Sequence, residues 1–526
     1  MKRGVISIAA ALAMAALAVT AEAKTFRFAF QGDLNALDPY ALNETFTLGT
    51  IGNAMEGLVT RDKDLKIVPA LAERWEIVEP TRWRFHLRKG VKFHNGEDFT
   101  ADDVLFSLER ALSPESNIRT RFAAKLKAEK VDAHTVDFVL AVPNPILHAE
   151  WDSWFMISKS WAEANGALKV QTKSNQLSPF ALKANGTGPF IVESHEPGVK
   201  TIFKPNPNWW GKPEHNLTQV VFQTIKSDAT RVAALLSGEV DMIDPVPVQD
   251  IPRVQASANT IVLTGPELRT IFLNMDQARD ELLYSDVKGK NPFKDTRVRK
   301  AFYQAIDIDA IQKRIMRGHA TPTALLIYPP LFSRSAEFKR HPYDPATAKK
   351  LLAEAGYPNG FALEMDCPND RYVNDEAICQ AVVAMLARIG IKAKLNAMPK
   401  ARYFDKVGAP QKYDSSFNLL GWTASSLDGL NILRSVAGCR DADGKGATAN
   451  FGGYCNPVVD ELAGAIAVEN DVQKRDLMLA KAFHHIHDEV GMIPLHQQAL
   501  SWGVSKKVSM VQRADNRILF YWVRMQ

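Results

Sequence analysis

The feature that most narrows what this chain can fold into stands at its start. Lys2 and Arg3 form a short basic region, residues 5–19 are an uncharged apolar run, and Ala21-Glu22-Ala23 has the small-x-small form of a cleavage site. That is the pattern of a secretory signal, and the run falls short of the roughly 20 apolar residues a spanning helix needs. Residues 1–23 are therefore set aside from fold reasoning, and the mature chain is expected to begin at Lys24. No later stretch is long and apolar enough to cross a membrane, so an exported, soluble protein is expected. Export also means an oxidising compartment, which gives the four cysteines weight. Cys439 and Cys455 flank a Gly- and Asp-rich loop, and a bridge there would stabilise by about 3 kcal/mol in the chain-entropy model. Cys367 and Cys379 are the second candidate pair, with Cys379 on a helical pattern. No Cys-x-x-Cys occurs, so the sequence supports neither a redox motif nor a thiolate zinc site.

Length and composition bound the rest. A chain of 526 residues allows about two to four domains. With 46% apolar and 23% charged residues it is neither disordered, nor a disulfide miniprotein, nor a polytopic membrane protein. The formal charge of +5 comes from interspersed signs, 64 basic against 59 acidic residues, with no basic run of the kind that binds nucleic acid.

Along the mature chain, strand and helix signals alternate. Residues 25–30 alternate polar and apolar and predict a first strand. Arg82-Trp83-Arg84-Phe85-His86-Leu87-Arg88 has a strict period of two, with one apolar and one charged face, and predicts a second, followed by a short strand over 91–94. Thr100-Ala101-Asp102-Asp103 has capping-box spacing ahead of Leu105, Leu108 and Leu112. Residues 189–194 and 200–204 read as a strand pair. Residues 220–225 read as a strand, followed by a helix capped at Asp228 and ending at Gly238, then a further strand. That order favours a parallel α/β sheet. Asp344-Pro345 opens a helix that Gly356 ends. Residues 373–389 and 457–468 predict helices, and 391–395 and 416–421 predict strands.

Several longer motifs point to a family. Leu71-Ala72-Glu73-Arg74-Trp75, running on to Phe85-His86-Leu87-Arg88-Lys89-Gly90-Val91-Lys92-Phe93-His94-Asn95-Gly96, resembles the signature of family 5 extracellular solute-binding proteins, the peptide/nickel-type receptors of ABC importers. Thr187-Gly188-Pro189-Phe190, Asn206-Pro207-Asn208-Trp209-Trp210-Gly211, Gly238-Glu239-Val240-Asp241, Val298-Arg299-Lys300-Ala301, Gly421-Trp422 and Ile493-Pro494-Leu495 follow in family order across nearly the whole mature chain. The resemblance implies an α/β, two-lobed periplasmic-binding-protein fold (type II, cluster C) with an additional third domain and a hinge. It places a discontinuous lobe I at 24–56, 186–268 and 495–526, the extra domain at 57–185, and lobe II at 269–494. A ligand would sit between the lobes, hinge closure would bury it, and the closed form would dock on membrane permease subunits whose ATPase is a separate chain. The location implied is the periplasm and the form a monomer; no cofactor and no catalytic activity are expected.

The resemblance also nominates ligand contacts. Dipeptide and oligopeptide receptors of the family hold the ligand's ammonium with an Asp shortly after Gly-Trp; here Gly421-Trp422-Thr423-Ala424-Ser425 puts Ser425 there, with Asp428 three positions on. A serine lacks the charge that a buried ammonium needs. Arg371, in Asn369-Asp370-Arg371-Tyr372, falls near the position where dipeptide receptors grip the ligand carboxylate, a task that suits a planar guanidinium. Trp422 is a candidate apolar wall or a core residue. Thr423 and Tyr372 adjoin these positions. Asn43, Glu44 and Thr45 follow the first strand, facing the cleft or capping the next helix through Thr45. Arg402 and Tyr403 are further candidates. The expected solute is a small peptide or peptide-like compound. With Ser425 in the Asp position, the alternatives are an opine, a nickel chelate, an oligosaccharide or another acidic or amide compound.

Other chemistry is poorly served. His484, His485 and His487 cluster near Asp488, but Ala480, Phe483, Ile486 and Val490 give that helix its apolar face, so the histidines read as a solvated flank and no metal is expected. There is no Gly-x-Ser-x-Gly, no His-Glu-x-x-His and no Walker-type glycine loop.

Overall fold

A computed structural model describes residues 23–34, 36–122, 125–172, 179–408, 413–424, 426–440, 447 and 449–526. The signal-like segment 1–22 and Ser425 lie outside these described residues.

One mixed sheet of eleven strands organises the chain. At one end stand Lys392–Met398, Ala362–Pro368 and Phe417–Trp422; at the other, Met242–Asp244, Thr25–Phe30, Gln219–Thr224, Lys200–Pro205 and Phe190–Glu196. Two long antiparallel strands, Thr260–Met275 and Ile493–Ser505, join the ends. The later half of Thr260–Met275 pairs with Phe417–Trp422, while the later half of Ile493–Ser505 pairs with Met242–Asp244. Each long strand therefore belongs to both ends, and between them only the three-residue strand Ala320–Pro322 adds to the pair. A sheet that narrows to two strands bends most easily there. The register breaks at that point: Pro266 faces Ala499 and Thr270 faces Gln497, so Glu267, Leu268 and Arg269 bulge opposite Gln498 alone. A bulge bends its strand and re-aims side chains.

The parallel pattern has a local cause. Thr25–Phe30 buries Phe26 and Phe28, and pairs in parallel with Gln219–Thr224 on one side and Met242–Asp244 on the other. The helix Asp228–Ser237 connects those two neighbours. Its N-cap is Ser227, one residue earlier than expected, and it ends where Gly238 takes φ 80°, a left-handed conformation that favours glycine.

Residues 72–139 form a separate four-stranded antiparallel sheet, in the order Ala72–Glu79, Arg82–Leu87, Thr135–Val139, Lys127–Asp132. Its period-two strand sends Trp83, Phe85 and Leu87 inward, while Arg84 on the other face meets Asp137 at 2.7 Å. Thr100 and Asp103 cap the helix Ala101–Ala111 reciprocally, as their spacing predicts. The expected strand over 91–94 is only a bridge between Lys92 and Asp98 around the turn at Gly96. This block is packed against the main sheet, since Phe85, Trp151 and Trp154 share one continuous apolar core with Phe28, Phe222 and Trp502. The other end of the main sheet carries an apolar core on each face, one around Phe302, Phe361 and Ile378, the other around Tyr403, Leu433 and Phe483.

Both candidate disulfides are present, Cys439–Cys455 and Cys367–Cys379. The helical position of Cys379 is no obstacle, because Cys367 ends a strand that packs directly on the helix Asp375–Ala387, bringing the Cα atoms to 6.5 Å. Among the described residues, no helix is long and apolar enough to cross a membrane.

Candidate functional site

A recess of about 690 Å3 opens between the two ends of the main sheet, beside the bulge. That volume lies within the range of small-molecule sites. One wall comes from the loop and helix start after the first strand, Asn43 to Phe46. The opposite wall is the turn Asn369 to Ala377, which joins the strand Ala362–Pro368 to the helix Asp375–Ala387. The floor is the joining pair, with Glu267 and Arg269 on one strand and Gln498 to Ser501 on the other.

The second wall is built to hold Arg371 out. The Asp375 carboxylate accepts the backbone N–H groups of Arg371 and Tyr372, each at 2.9 Å, which folds the turn back on itself. The Cys367–Cys379 bridge spans the same turn and fixes both of its ends. Tyr372 is buried, its hydroxyl donating to the Gly421 carbonyl at 3.3 Å, and the Arg371 guanidinium lies over its ring at 5.1 Å. Gly421 makes this possible, because a Cβ there would stand 2.6 Å from Tyr372 Cε1 and 3.0 Å from Arg269 Cδ. Arg371 is reached by solvent, yet ringed closely enough that desolvation, and then the charge of Arg269, lower its pKa. Among the described residues, no carboxylate lies within ion-pair distance of its guanidinium.

The floor continues that wall through a buried network. Val373 N–H donates to Gln498 Oε1 at 3.1 Å, Gln498 Nε2 donates to Glu267 Oε2 at 2.7 Å, and Glu267 Oε1 pairs with Arg269 at 3.1 Å. Asp244 lies beside it. Burial, then the nearby Glu267 charge, push its carboxyl up to about 7.

Each of the seven lining carboxylates already has a protein donor. Glu44 caps the helix Thr45–Ile51 by accepting from Phe46 and Thr47, so the cap is Glu44 and not Thr45. Asp228 pairs with the buried Arg231, Asp370 accepts from the Lys400 N–H, and Glu376 accepts from Gln380. Asp244 accepts from Asn516, while Asp375 and Glu267 are engaged as described above.

The structure thus brings Asn43, Glu44, Thr45, Arg371 and Tyr372 to one cleft, and Asn43 also accepts from Arg121 of the 57–185 block. Five other candidates do not line it. The Asp428 carboxylate caps the short helix Gly429–Ile432 and takes a two-pronged ion pair from Arg475 at 2.6 and 2.8 Å, so it is not available to replace the missing aspartate. Trp422 donates to Asn431 at 2.9 Å and packs against the core of its own end of the sheet. Thr423 follows it with its hydroxyl buried, and Arg402 lies on exposed helix surface, while its neighbour Tyr403 is buried and donates to the Leu419 carbonyl. The histidine cluster is dispersed: His484 stacks on Phe338, His487 reaches the Lys339 carbonyl, and His485 lies 3.8 Å from Glu489. Glu267, Arg269, Gln498 and Asp244 went unread in the sequence. The one available signal was a pair of opposite charges inside the otherwise uncharged run of residues 261–275.

Two sheet ends joined by a two-strand hinge, with a solute-sized polar cleft between them, define a two-lobed binding protein of the type II periplasmic class. The sequence agrees: residues 66–444 match the family model "Bacterial extracellular solute-binding proteins, family 5 Middle", and the chain belongs to that family. It is 28% identical over 93% of its length to the glutathione-binding protein GsiB of Salmonella choleraesuis (strain SC-B67), covering 91% of that protein. It is 26% identical to the dipeptide-binding protein of Escherichia coli (strain K12), over 96% of this chain and 95% of that one. Among solved structures, the ABC transporter-associated periplasmic binding protein DppA of Helicobacter pylori, in complex with the peptide STSA, superposes with a TM-score of 0.77 at 26% identity, over 95% of this chain and 98% of that one.

Proposed function

We propose that this solute-binding protein is the periplasmic receptor of an ABC importer, and that it captures a small peptide or peptide-like solute whose carboxylate is received by Arg371. The observation that carries the reading is a guanidinium without an ion-pair partner among the described residues, held at the cleft by Asp375, Tyr372 and the Cys367–Cys379 bridge. An arginine so placed meets a planar carboxylate through two parallel hydrogen bonds. The relatives named for peptides, a dipeptide and glutathione support the solute class. Closure about the narrow joining pair would bury the solute and shift the open–closed equilibrium toward the form a permease recognises. The domain limits 24–56 with 186–268 and 495–526, 57–185, and 269–494 suit this motion, because the last boundary falls at the bulge. The family is one of solute-binding proteins, which supports capture and delivery as the role.

One observation favours a second reading within the class. Asp428 is ion-paired with Arg475 outside the cleft, and each lining carboxylate already accepts at least one protein hydrogen bond, so a free ammonium meets no carboxylate without a partner among the described residues, which supports an amine-blocked, opine-like or amide solute. A thermal-shift and calorimetry screen of residues 24–526 separates the two. At 100 times its Kd a ligand raises stability by about 2.7 kcal/mol. Free-amine dipeptides that shift the melting temperature support the first reading, and a response confined to N-acylated or opine-like compounds supports the second. A response to carboxylates that survives Arg371→Gln overturns both.

A further inference from the structure

The cleft holds a second arginine that the carboxylate site just proposed does not use. Arg269 stands in the bulge, where three residues oppose Gln498 alone, at the point where the long strands pass from one lobe to the other. Side chains along a strand alternate faces, so Glu267 and Arg269 both front the cleft while Leu268 between them is buried on the other face. The Arg269 fork has five N–H donors, and its ion-pair partner among the described residues is one oxygen of Glu267, whose other oxygen is taken by Gln498. The remaining donors have an open cleft before them. The two arginines are neighbours across Tyr372: the Arg371 guanidinium lies over the tyrosine ring, while the ring edge and the Arg269 stem press on the same point at Gly421. Arg269 has Glu267 as its ion-pair partner and Arg371 has none among the described residues, so two guanidiniums held close together repel, and a ligand that brings a carboxylate to each would offset that repulsion.

We propose that Arg269 is a second carboxylate-receiving residue, so that the preferred solutes carry two carboxylates, one for Arg371 and one for Arg269. This rests on the reading of Arg371 given above and goes further in naming the chemical class, an acidic peptide or amine-blocked diacid. Discrimination then lies between a side-chain carboxylate and its amide isostere. A site built to meet a charged group rejects the analogue that lacks it, because its own buried charge is left unpaired. The Glu267–Gln498–Val373 network is the positioning element, holding Arg269 in the same frame as the Arg371 turn.

The test uses residues 24–526 and four pairs of probes: Glu-Ala against Gln-Ala and Ala-Glu against Ala-Gln, each with a free and an acetylated N-terminus, measured by calorimetry. The expected result is that at least one Glu compound binds at least tenfold more tightly than its Gln isostere. Arg269→Gln should bring that ratio close to one by weakening the Glu compound far more than the Gln compound. The double variant Glu267→Gln/Arg269→Gln leaves no unpaired carboxylate at the bulge, should keep a near-native melting temperature, and should show the same loss of preference. Equal binding of every Glu and Gln pair overturns this inference. So does a preference that survives Arg269→Gln, and so does an equal loss for both isosteres, which would mark Arg269 as merely structural. In those cases Arg371→Gln still reports on the first site: binding it abolishes leaves the carboxylate reading standing alone. If no probe and no member of the wider screen binds, both fall together.

Discussion

The two walls of the cleft are made of similar residues used in opposite ways. On the side that follows the first strand, Asn43 and Glu44 are polar and well placed, yet Asn43 accepts from Arg121 and Glu44 is spent on the helix it caps. On the opposite side, the turn that carries Arg371 satisfies its backbone through Asp375 and its ends through a disulfide, and leaves the guanidinium at the cleft without an ion-pair partner among the described residues. A polar residue on a cleft wall is thus a weak sign of recognition until its hydrogen bonds have been counted. The informative group is a charge whose surroundings have been satisfied without it. Asp428 makes the same point from outside the cleft, where two short hydrogen bonds to Arg475 turn a candidate ligand anion into a structural one.

The sharpest way to break this contrast is to exchange the fates of two charges. Arg371→Gln should cost at least 2 kcal/mol of carboxylate binding, more than about 30-fold, with little change in melting temperature, because truncating one member of a desolvated charge pair costs about 2–5 kcal/mol. Asp428→Asn should do the reverse, lowering stability by about 3 kcal/mol, since Arg475 is left buried without its partner, and leaving calorimetric affinity nearly intact. An affinity loss from Asp428→Asn larger than that from Arg371→Gln would invert the assignment.

The next largest effect concerns the turn itself. Replacing both Cys367 and Cys379 with Ser should lower stability by about 2–4 kcal/mol and weaken binding more than the same change at Cys439 and Cys455, because only the first pair spans the Arg371 turn. Equal affinity losses in the two double variants would show that the first bridge does not position Arg371. Gly421→Ala tests the same wall from behind. Its Cβ would stand 2.6 Å from the Tyr372 ring, and such overpacking costs about 1–3 kcal/mol, so a melting-temperature loss with weaker binding is expected.

The smallest effect is a pH dependence at the floor. Burial raises the Asp244 carboxyl from 3.8 to about 7. A carboxyl that holds its proton more tightly folded than unfolded stabilises the fold at low pH. That contribution is lost as pH climbs from about 4 through about 7, and is essentially gone by about 8. Between pH 6 and 8 the loss is about 1.4 kcal/mol. Glu56, whose carboxyl burial likewise raises to about 7, adds in the same direction. Urea titrations of wild type and Asp244→Asn at pH 6 and 8 check this. The variant should show a smaller difference, and an unchanged one would place the titration elsewhere.

Much of the architecture was written in the order of residues. The period of two in residues 82–87, the caps at Thr100 and Asp344, and the strand–helix–strand order of 219–244 each depend on contacts a few residues apart, and each appears where its pattern put it. Arg371, Asn43 and Glu44 could be nominated from the family resemblance, by their positions in its order of motifs. Tertiary structure alone decided which nominated groups are free. Arg475 is 47 positions from Asp428, Gln498 is 231 from Glu267, and Gly421 meets Tyr372 across 49. No local pattern carries such distances. The bulge at Glu267 to Arg269 is likewise a property of two strands in register, not of either strand read alone. Local hydrogen bonding and hydrophobic period fix the elements, whereas the state of a charge depends on whichever distant groups the finished fold presses against it.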